Sequence, residues 1–146
     1  MKTIKKGVFI GIAIIGFVLI RLFQSEIFYD PLTDFFKSNF QNAAFPEIEF
    51  WQYNLNLLFR YGLNTSLSLL IIWFWFEKKS FVIFSAYLYV AVFLICLIAF
   101  WIVEHNISAE SYMKLFYIRR FLIQPLLVII LIPAFYFQNI SKKGGY

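Results

Sequence analysis

Residues 81–103 read FVIFSAYLYVAVFLICLIAFWIV, a predominantly apolar run without a single charged side chain. A helix needs about 20 such residues to cross the roughly 30 Å hydrocarbon core of a bilayer. Lipid offers no hydrogen-bond partner to an unpaired peptide group, so a segment of this kind is expected to be helical. The stretch therefore predicts a transmembrane helix, and the rest of the chain can be laid out around it.

Three further apolar runs satisfy the same length criterion, at residues 7–23, 53–76 and 115–137. Apolar types make up 62% of the 146 residues and charged types 14%, against about 25% charged in an ordinary soluble domain. A soluble domain of this size could not bury so much apolar surface. The sequence predicts an all-α integral membrane protein, a four-transmembrane-helix bundle forming one domain over residues 1–146. No recognition helix or aromatic-basic groove is readable, so membrane lipid, not nucleic acid, is the expected surrounding.

Positive charge predicts the orientation of the four spans, because lysines concentrate in cytoplasmic segments. The outer loops are then 24–52 and 104–114, which hold seven of the eight carboxylates and only Lys37 and Lys114 as lysines. Both termini are expected to be cytoplasmic, in a multi-pass protein of the bacterial inner membrane. The first run lacks a small-x-small cleavage site and is expected to be an uncleaved anchor. The lysines on the predicted inner side are Lys2, Lys5, Lys6, Lys78, Lys79, Lys142 and Lys143.

The first outer loop contains a helix-start signal, with Asp30 as N-cap and Pro31 at the first helical position. Apolar side chains from Leu32 onward fall near one face, while Asp34 and its polar neighbours fall on the other. This pattern predicts a short amphipathic helix lying on the outer surface. A plain loop with apolar anchors is the alternative.

Arginines inside the apolar runs are the strongest functional signal. On this topology Arg21, Arg60, Arg119 and Arg120 all fall in the outer half of the bilayer. An arginine at the bilayer centre costs roughly 2.5–3.5 kcal/mol on insertion scales, so such residues usually face the bundle interior and pair with something. Polar neighbours extend the pattern at steps of four residues, in the order Asn56, Arg60, Asn64 and Ser68 on the second span and Arg120 and Gln124 on the fourth.

Three interpretations of the arginines stay open. Guanidinium groups suit planar anions, and no acidic residue lies within a span, so an internal partner must come from the outer loop. Glu26, Asp30 and Asp34 are the candidates for a structural ion-pair network. A functional anion site would instead take an anionic phospholipid or a carboxylate of a partner protein. In the third interpretation the side chains only reach the headgroups and anchor the helices.

Two prolines interrupt the fourth run. Pro125 has no N–H and is predicted to free the carbonyl of Phe121, and Pro133 is predicted to do the same for Ile129. The sequence thus predicts backbone acceptors beside the arginines.

A catalytic interpretation finds little support. Cys96 and His105 are the one nucleophile and base that could pair, yet nine residues along a helix place them on opposite sides, about 13 Å apart. The spacing of His, Cys, Asp and Glu matches no metal motif, and no cofactor is expected. An outer-face enzyme with Cys96 as nucleophile remains an alternative function.

Four stretches of the chain together resemble the exosortase F system-associated membrane proteins. Three of the four arginines identified on physical grounds, Arg60, Arg119 and Arg120, lie in two of these stretches, and RRFLIQP at 119–125 is the most specific part. The stretches are Phe28–Leu32, Leu58–Thr65, Phe116–Leu126 and Ile132–Tyr136.

The resemblance implies an accessory role beside an exosortase, a membrane enzyme that processes C-terminal sorting signals. Exosortases use a cysteine, an arginine and a histidine, and this chain lacks a recognisable version of that arrangement. The expected function is therefore a non-enzymatic interaction with the enzyme or its substrate through the outer arginines. An anionic-lipid binding or transport protein is the third alternative. The residues expected to contact a partner or anion are Arg21, Arg60, Asn64, Arg119, Arg120 and Gln124, with Asp30, Pro31 and Asp34 as loop contacts.

Overall fold

The computed structural model describes residues 2–143, with the side chains of Lys2 and Lys143 left out, and that part of the chain is helical without strands. The predicted domain, 1–146, therefore extends beyond the described residues at both ends. Short 3-10 turns occupy Phe40–Asn42 and Ala109–Ser111. The helices are α1 Lys2–Leu22, α2 Gln24–Ile27, α3 Pro31–Lys37, α4 Phe50–Phe76, α5 Lys79–His105, α6 Tyr112–Ile123 and α7 Leu126–Lys143.

Three helices, α1, α4 and α5, are long and apolar enough to cross a membrane. For residues 2–143, the prediction of an all-helical fold with helices able to span a membrane is confirmed. The predicted single helix over 115–137 is instead two helices, because α6 and α7 meet at a break with a bend of 61°. Pro125 sits in this break, whereas Pro133 lies inside α7 without interrupting it.

Helix α4 is the centre of the bundle, because it packs against α1, α5, α6 and α7. We call the end formed by residues 23–49 and 106–111 the loop end. The opposite end, where Glu77 and Lys78 join α4 to α5, is the turn end. Lys6 at the start of α1 forms an ion pair of 3.1 Å with Glu77, so α1 runs from the turn end to the loop end.

The bent pair α6–α7 also runs from one end of the bundle to the other. At the loop end, the Tyr112 hydroxyl donates to the carbonyl of Ala43 at 3.3 Å. Near the turn end, the ring of Phe135 stacks on Phe81 with centroids 4.4 Å apart. Lys78 Nζ then donates to Asn139 Oδ1 at 2.6 Å. These contacts make the pair one broken crossing of the bundle, not a hairpin that returns to its starting end.

The amphipathic helix of the first loop exists as α3 and begins at Pro31 as predicted. Its location differs from the prediction of a helix lying on the outer surface. Leu32 and Phe35 are buried, and the ring of Phe35 packs edge-on against Tyr112 and Phe45. The apolar face of α3 therefore packs on protein, against Tyr112 at the start of α6.

Candidate anion-binding site at the loop end

The loop end contains a buried ionic cluster around Asp30. Arg119 Nη2 donates to Asp30 Oδ2 at 2.5 Å, and Arg60 Nη1 lies 3.5 Å from the same oxygen. The hydroxyl of Thr33 donates to Asp30 Oδ2 at 3.0 Å and lies 2.6 Å from Arg119 Nη2. We call Asp30, Thr33, Arg60 and Arg119 the Asp30 cluster. It joins the first loop to α4 and α6.

Burial explains why the charges converge on one point. Arg60 is only 4% exposed and Arg119 only 5%. An arginine removed from solvent needs a compensating anion, and Asp30 at the start of α3 is the carboxylate within reach of both. Asp30 occupies the N-cap position of α3 as predicted, but its side chain makes no capping hydrogen bond to the α3 backbone. The arginines compete successfully for its oxygen because charge-assisted bonds are the stronger ones.

Aromatic and amide groups complete the surroundings of the two guanidinium groups. Arg60 Nη2 donates to Gln24 Oε1 at 2.6 Å. The Arg60 guanidinium lies over the ring of Phe28 at 5.4 Å, and that of Arg119 over Phe36 at 5.7 Å. Such stacking offsets part of the desolvation of a buried guanidinium. Sequence reasoning missed Gln24 and Thr33, because residues so far apart along the chain give no periodic signal.

Positive charge exceeds negative charge in this region. Two buried arginines share one carboxylate, and Arg60 Nε and Arg119 Nε are buried without a hydrogen-bond partner among the described residues. A cavity of about 200 Å³ adjoins the cluster. Its four cationic lining side chains, with no carboxylate among the described lining residues, are Arg21, Lys37, Arg60 and Arg119. We call it the cationic cavity.

A second cavity of about 180 Å³ lies between α1 and the α6–α7 break. Phe17, Val18 and Ile20 of α1 line one side, and Ile123 and Pro125 line the other. We call it the apolar crevice. Its remaining lining residues are Arg21, Arg60, Asn64 and Gln124, of which Arg21, Arg60 and Gln124 also line the cationic cavity.

The break between α6 and α7 is held by Asn64. Its Nδ2 donates to the carbonyl of Ile123 at 3.1 Å. The proline rule pointed to the carbonyl of Phe121 as an acceptor, whereas the carbonyl that accepts the bond from Asn64 is that of Ile123. The chain is extended at Gln124, so the helix ends before the proline, and the last carbonyls of α6 need partners from outside the helix.

Arg120 and Arg21 do not belong to the Asp30 cluster. Arg120 is exposed and its Nε donates to Gln124 Oε1 at 3.1 Å, so the prediction that it faces the bundle interior is wrong. Adjacent residues on a helix are turned by 100°, and Arg119 occupies the inward position. Arg21 is exposed near the end of α1, and Asp34 is exposed on α3. Pro31 is half-buried and starts α3 without touching the ionic groups itself.

Replacing Asn64 with leucine should leave the Ile123 carbonyl without its donor. Removing one partner from a buried hydrogen bond costs about 1–3 kcal/mol. We therefore expect the free energy of unfolding, measured by titration of a denaturing detergent into mixed micelles, to fall by about that amount. Ser66→Ala on the exposed side of the same helix is the matched control and should change it by less than about 0.5 kcal/mol. Equal stability of the two variants would contradict the role of Asn64 at the break.

Helix α5 is continuous from Lys79 to His105, so the helical geometry that separates Cys96 from His105 applies. The Cys96 thiol is half-buried. Within residues 2–143, no group of three or more His, Cys, Asp or Glu side chains could hold a metal ion. What the loop end offers is positive charge and a cavity in which an anion could bind.

Comparisons with known proteins find no match for this chain among family models, curated proteins or solved structures.

Proposed function

We propose that this chain is a non-enzymatic accessory protein of the bacterial inner membrane, with four spans and both termini in the cytoplasm. The broken pair α6–α7 counts as the fourth span, because it runs the full length of the bundle. Lysine asymmetry supports the orientation. Lys5, Lys6, Lys78, Lys79 and Lys142 belong to the turn end, and the Asp30 cluster then lies toward the outer face.

The partner surface in this proposal is the exposed face of α6. Met113, Tyr117, Arg120 and Phe121 are all exposed on this helix. Aromatic and arginine side chains are the types that most often dominate binding energy at protein interfaces. The predicted set of contact residues is thereby narrowed. Arg60 and Arg119 belong to the Asp30 cluster and Asn64 to the helix break, which leaves Arg21 and Arg120 as the exposed arginines, and Arg120 is the one on the α6 face.

One observation carries this proposal: Arg120 is exposed in an apolar helix, with Gln124 as its only partner among the described residues. A guanidinium facing hydrocarbon is costly, and a carboxylate or carbonyl of a neighbouring membrane protein would remove that cost. The aromatic side chains on either side would bury apolar area in the same contact. An arginine that only reached the headgroups would need neither a partner carboxylate nor flanking aromatic side chains.

The partner class is an exosortase-type membrane enzyme. The resemblance of Phe116–Leu126 to the exosortase F system-associated proteins supports it, and the α6 face is part of that stretch. An outer-half position also suits a partner that acts on membrane-anchored substrates at the outer face. No observation favours an enzymatic role for Cys96 over this one.

The test is purification of a tagged full-length chain from native membranes in mild detergent, with mass spectrometry of the proteins that accompany it. We expect an exosortase-type enzyme at near-equal amounts. Arg120→Gln should lower the recovered amount of partner by about tenfold or more, as expected when one charge-assisted interfacial contact is lost. Lys79→Gln, an exposed basic residue at the turn end, where α5 begins, is the control and should leave recovery unchanged.

Recovery of the tagged chain alone would contradict the accessory role. Recovery of the enzyme at equal amounts with Arg120→Gln and with the unaltered chain would contradict the α6 face as the contact. Neither variant residue belongs to the Asp30 cluster, so insertion and thermal stability should be the same in both.

A further inference from the structure

The cationic cavity and the apolar crevice are adjacent and share lining side chains. Arg21, Arg60 and Gln124 line both, as does Ile123 between them. One site is thus rich in positive charge and N–H donors, and the neighbouring one is walled by Phe17, Val18 and other apolar groups. A ligand that fills both must carry an anionic group joined to an apolar chain.

We propose that the two cavities together form a binding site for one anionic membrane lipid, with its phosphate in the cationic cavity and an acyl chain in the apolar crevice. This goes beyond the role in partner docking and uses different side chains. The lipid would occupy the groove between α1, α4 and α6, while the partner would contact the outer face of α6.

Charge supports a phosphate as the group bound in the cationic cavity. Four cationic side chains line this cavity, and Asp30 compensates Arg60 and Arg119 only in part. Arg60 and Arg119 are more than nine-tenths buried and keep Nε donors without a partner among the described residues. Arginine forms paired hydrogen bonds to phosphate oxygens, and the low polarity around a buried site strengthens them.

The position of the site supports a lipid over a soluble phosphate. Arg21 is the next-to-last residue of α1, a helix long enough to span the bilayer, so on the proposed topology its guanidinium reaches the depth of the headgroups. The apolar crevice extends from there along α1 toward Phe17, in the direction that an acyl chain takes. A free phosphate would gain nothing from these apolar walls.

The experiment uses the full-length chain, purified alone in mild detergent and freed of bound lipid, so that its result does not depend on a partner protein. Native mass spectrometry then measures retention of dioleoyl phosphatidylglycerol, dioleoyl phosphatidylcholine and glycerol phosphate at equal concentrations. We expect one phosphatidylglycerol per chain, at least tenfold weaker retention of phosphatidylcholine, and no retention of glycerol phosphate.

Two variants test the two halves of the site. Arg21 makes no hydrogen bond or ion pair among the described residues, so Arg21→Gln should fold normally and weaken phosphatidylglycerol binding by about tenfold. Val18→Trp should fill the apolar crevice and weaken binding by a similar factor. The controls are Lys114→Gln, which lies outside both cavities, and Val8→Trp, on an exposed position of α1 nearer the turn end.

Equal retention of phosphatidylglycerol and phosphatidylcholine would overturn the proposal, as would normal binding by a folded Arg21→Gln variant. Retention of glycerol phosphate as strong as that of phosphatidylglycerol would show an anion site without a lipid chain and would also overturn it. If the unaltered chain retained phosphatidylglycerol but recovered no partner protein, the accessory role would be contradicted and the lipid site would stand.

Discussion

Asp30→Asn is expected to lower the free energy of unfolding by about 3–5 kcal/mol, the usual cost of removing one member of a buried ion pair. The change keeps the size of the side chain and removes its charge. Arg60 and Arg119 would then face each other across a neutral amide, each nine-tenths buried. Because Asp30 also ties the first loop to α4 and α6, the loop should become sensitive to protease in the folded protein.

The measurement is a denaturing-detergent titration in mixed micelles, followed by circular dichroism. Asp34→Asn is the control, since Asp34 lies one turn further along α3, is exposed and forms no ion pair among the described residues. A second substitution, Arg119→Gln in the Asp30→Asn background, should restore part of the lost stability by removing one unpaired charge. If Asp30→Asn unfolded at the same detergent fraction as Asp34→Asn, the Asp30 cluster would not be a stabilising feature.

Leu32→Ala should produce the second large effect. Leu32 is fully buried where α3 packs on the bundle, and replacing such a leucine with alanine typically costs about 2–5 kcal/mol because the site collapses only in part. The same change should also loosen the packing of α3 that positions Asp30, two residues earlier.

The matched control for Leu32→Ala is Ile27→Ala, an exposed residue of α2 in the same loop. It should shift the free energy of unfolding by less than about 0.5 kcal/mol in the same titration. A similar small shift for both variants would mean that α3 rests on the membrane surface, as its amphipathic pattern first suggested.

The long helices could be predicted from sequence because apolar run length alone identifies them. Residues 53–76 and 81–103 were placed within about three residues of the ends of α4 and α5. The break in the fourth run was not predicted, although Pro125 was recognised as a perturbation. Pro133 in the same run leaves α7 intact, so a proline by itself does not decide between a bend and a break. The deciding contact, Asn64 to Ile123, joins two different helices.

The buried arginines could be identified from sequence, but not their partners. Burial cost singles out four arginines within the apolar runs, Arg21, Arg60, Arg119 and Arg120, of which Arg60 and Arg119 are buried. Whether Arg119 or Arg120 points inward depends on the rotation of α6 about its axis, which the sequence pattern does not fix. Asp30 was one of three candidate loop carboxylates, and its choice over Glu26 and Asp34 follows from the position of α3 on the bundle.

If the α6–α7 pair is the fourth span, as proposed above, its break has a consequence for biogenesis. Helix α6 has only 12 residues and carries two arginines, so this segment enters the bilayer poorly by its own hydrophobicity. The groups that make it tolerable, Asp30 for Arg119 and Asn64 for the broken backbone, come from parts of the chain synthesised earlier. On the proposed topology, we therefore expect membrane insertion of the α6–α7 pair to depend on the first loop and α4 already being in place, so that assembly proceeds from the N-terminal half.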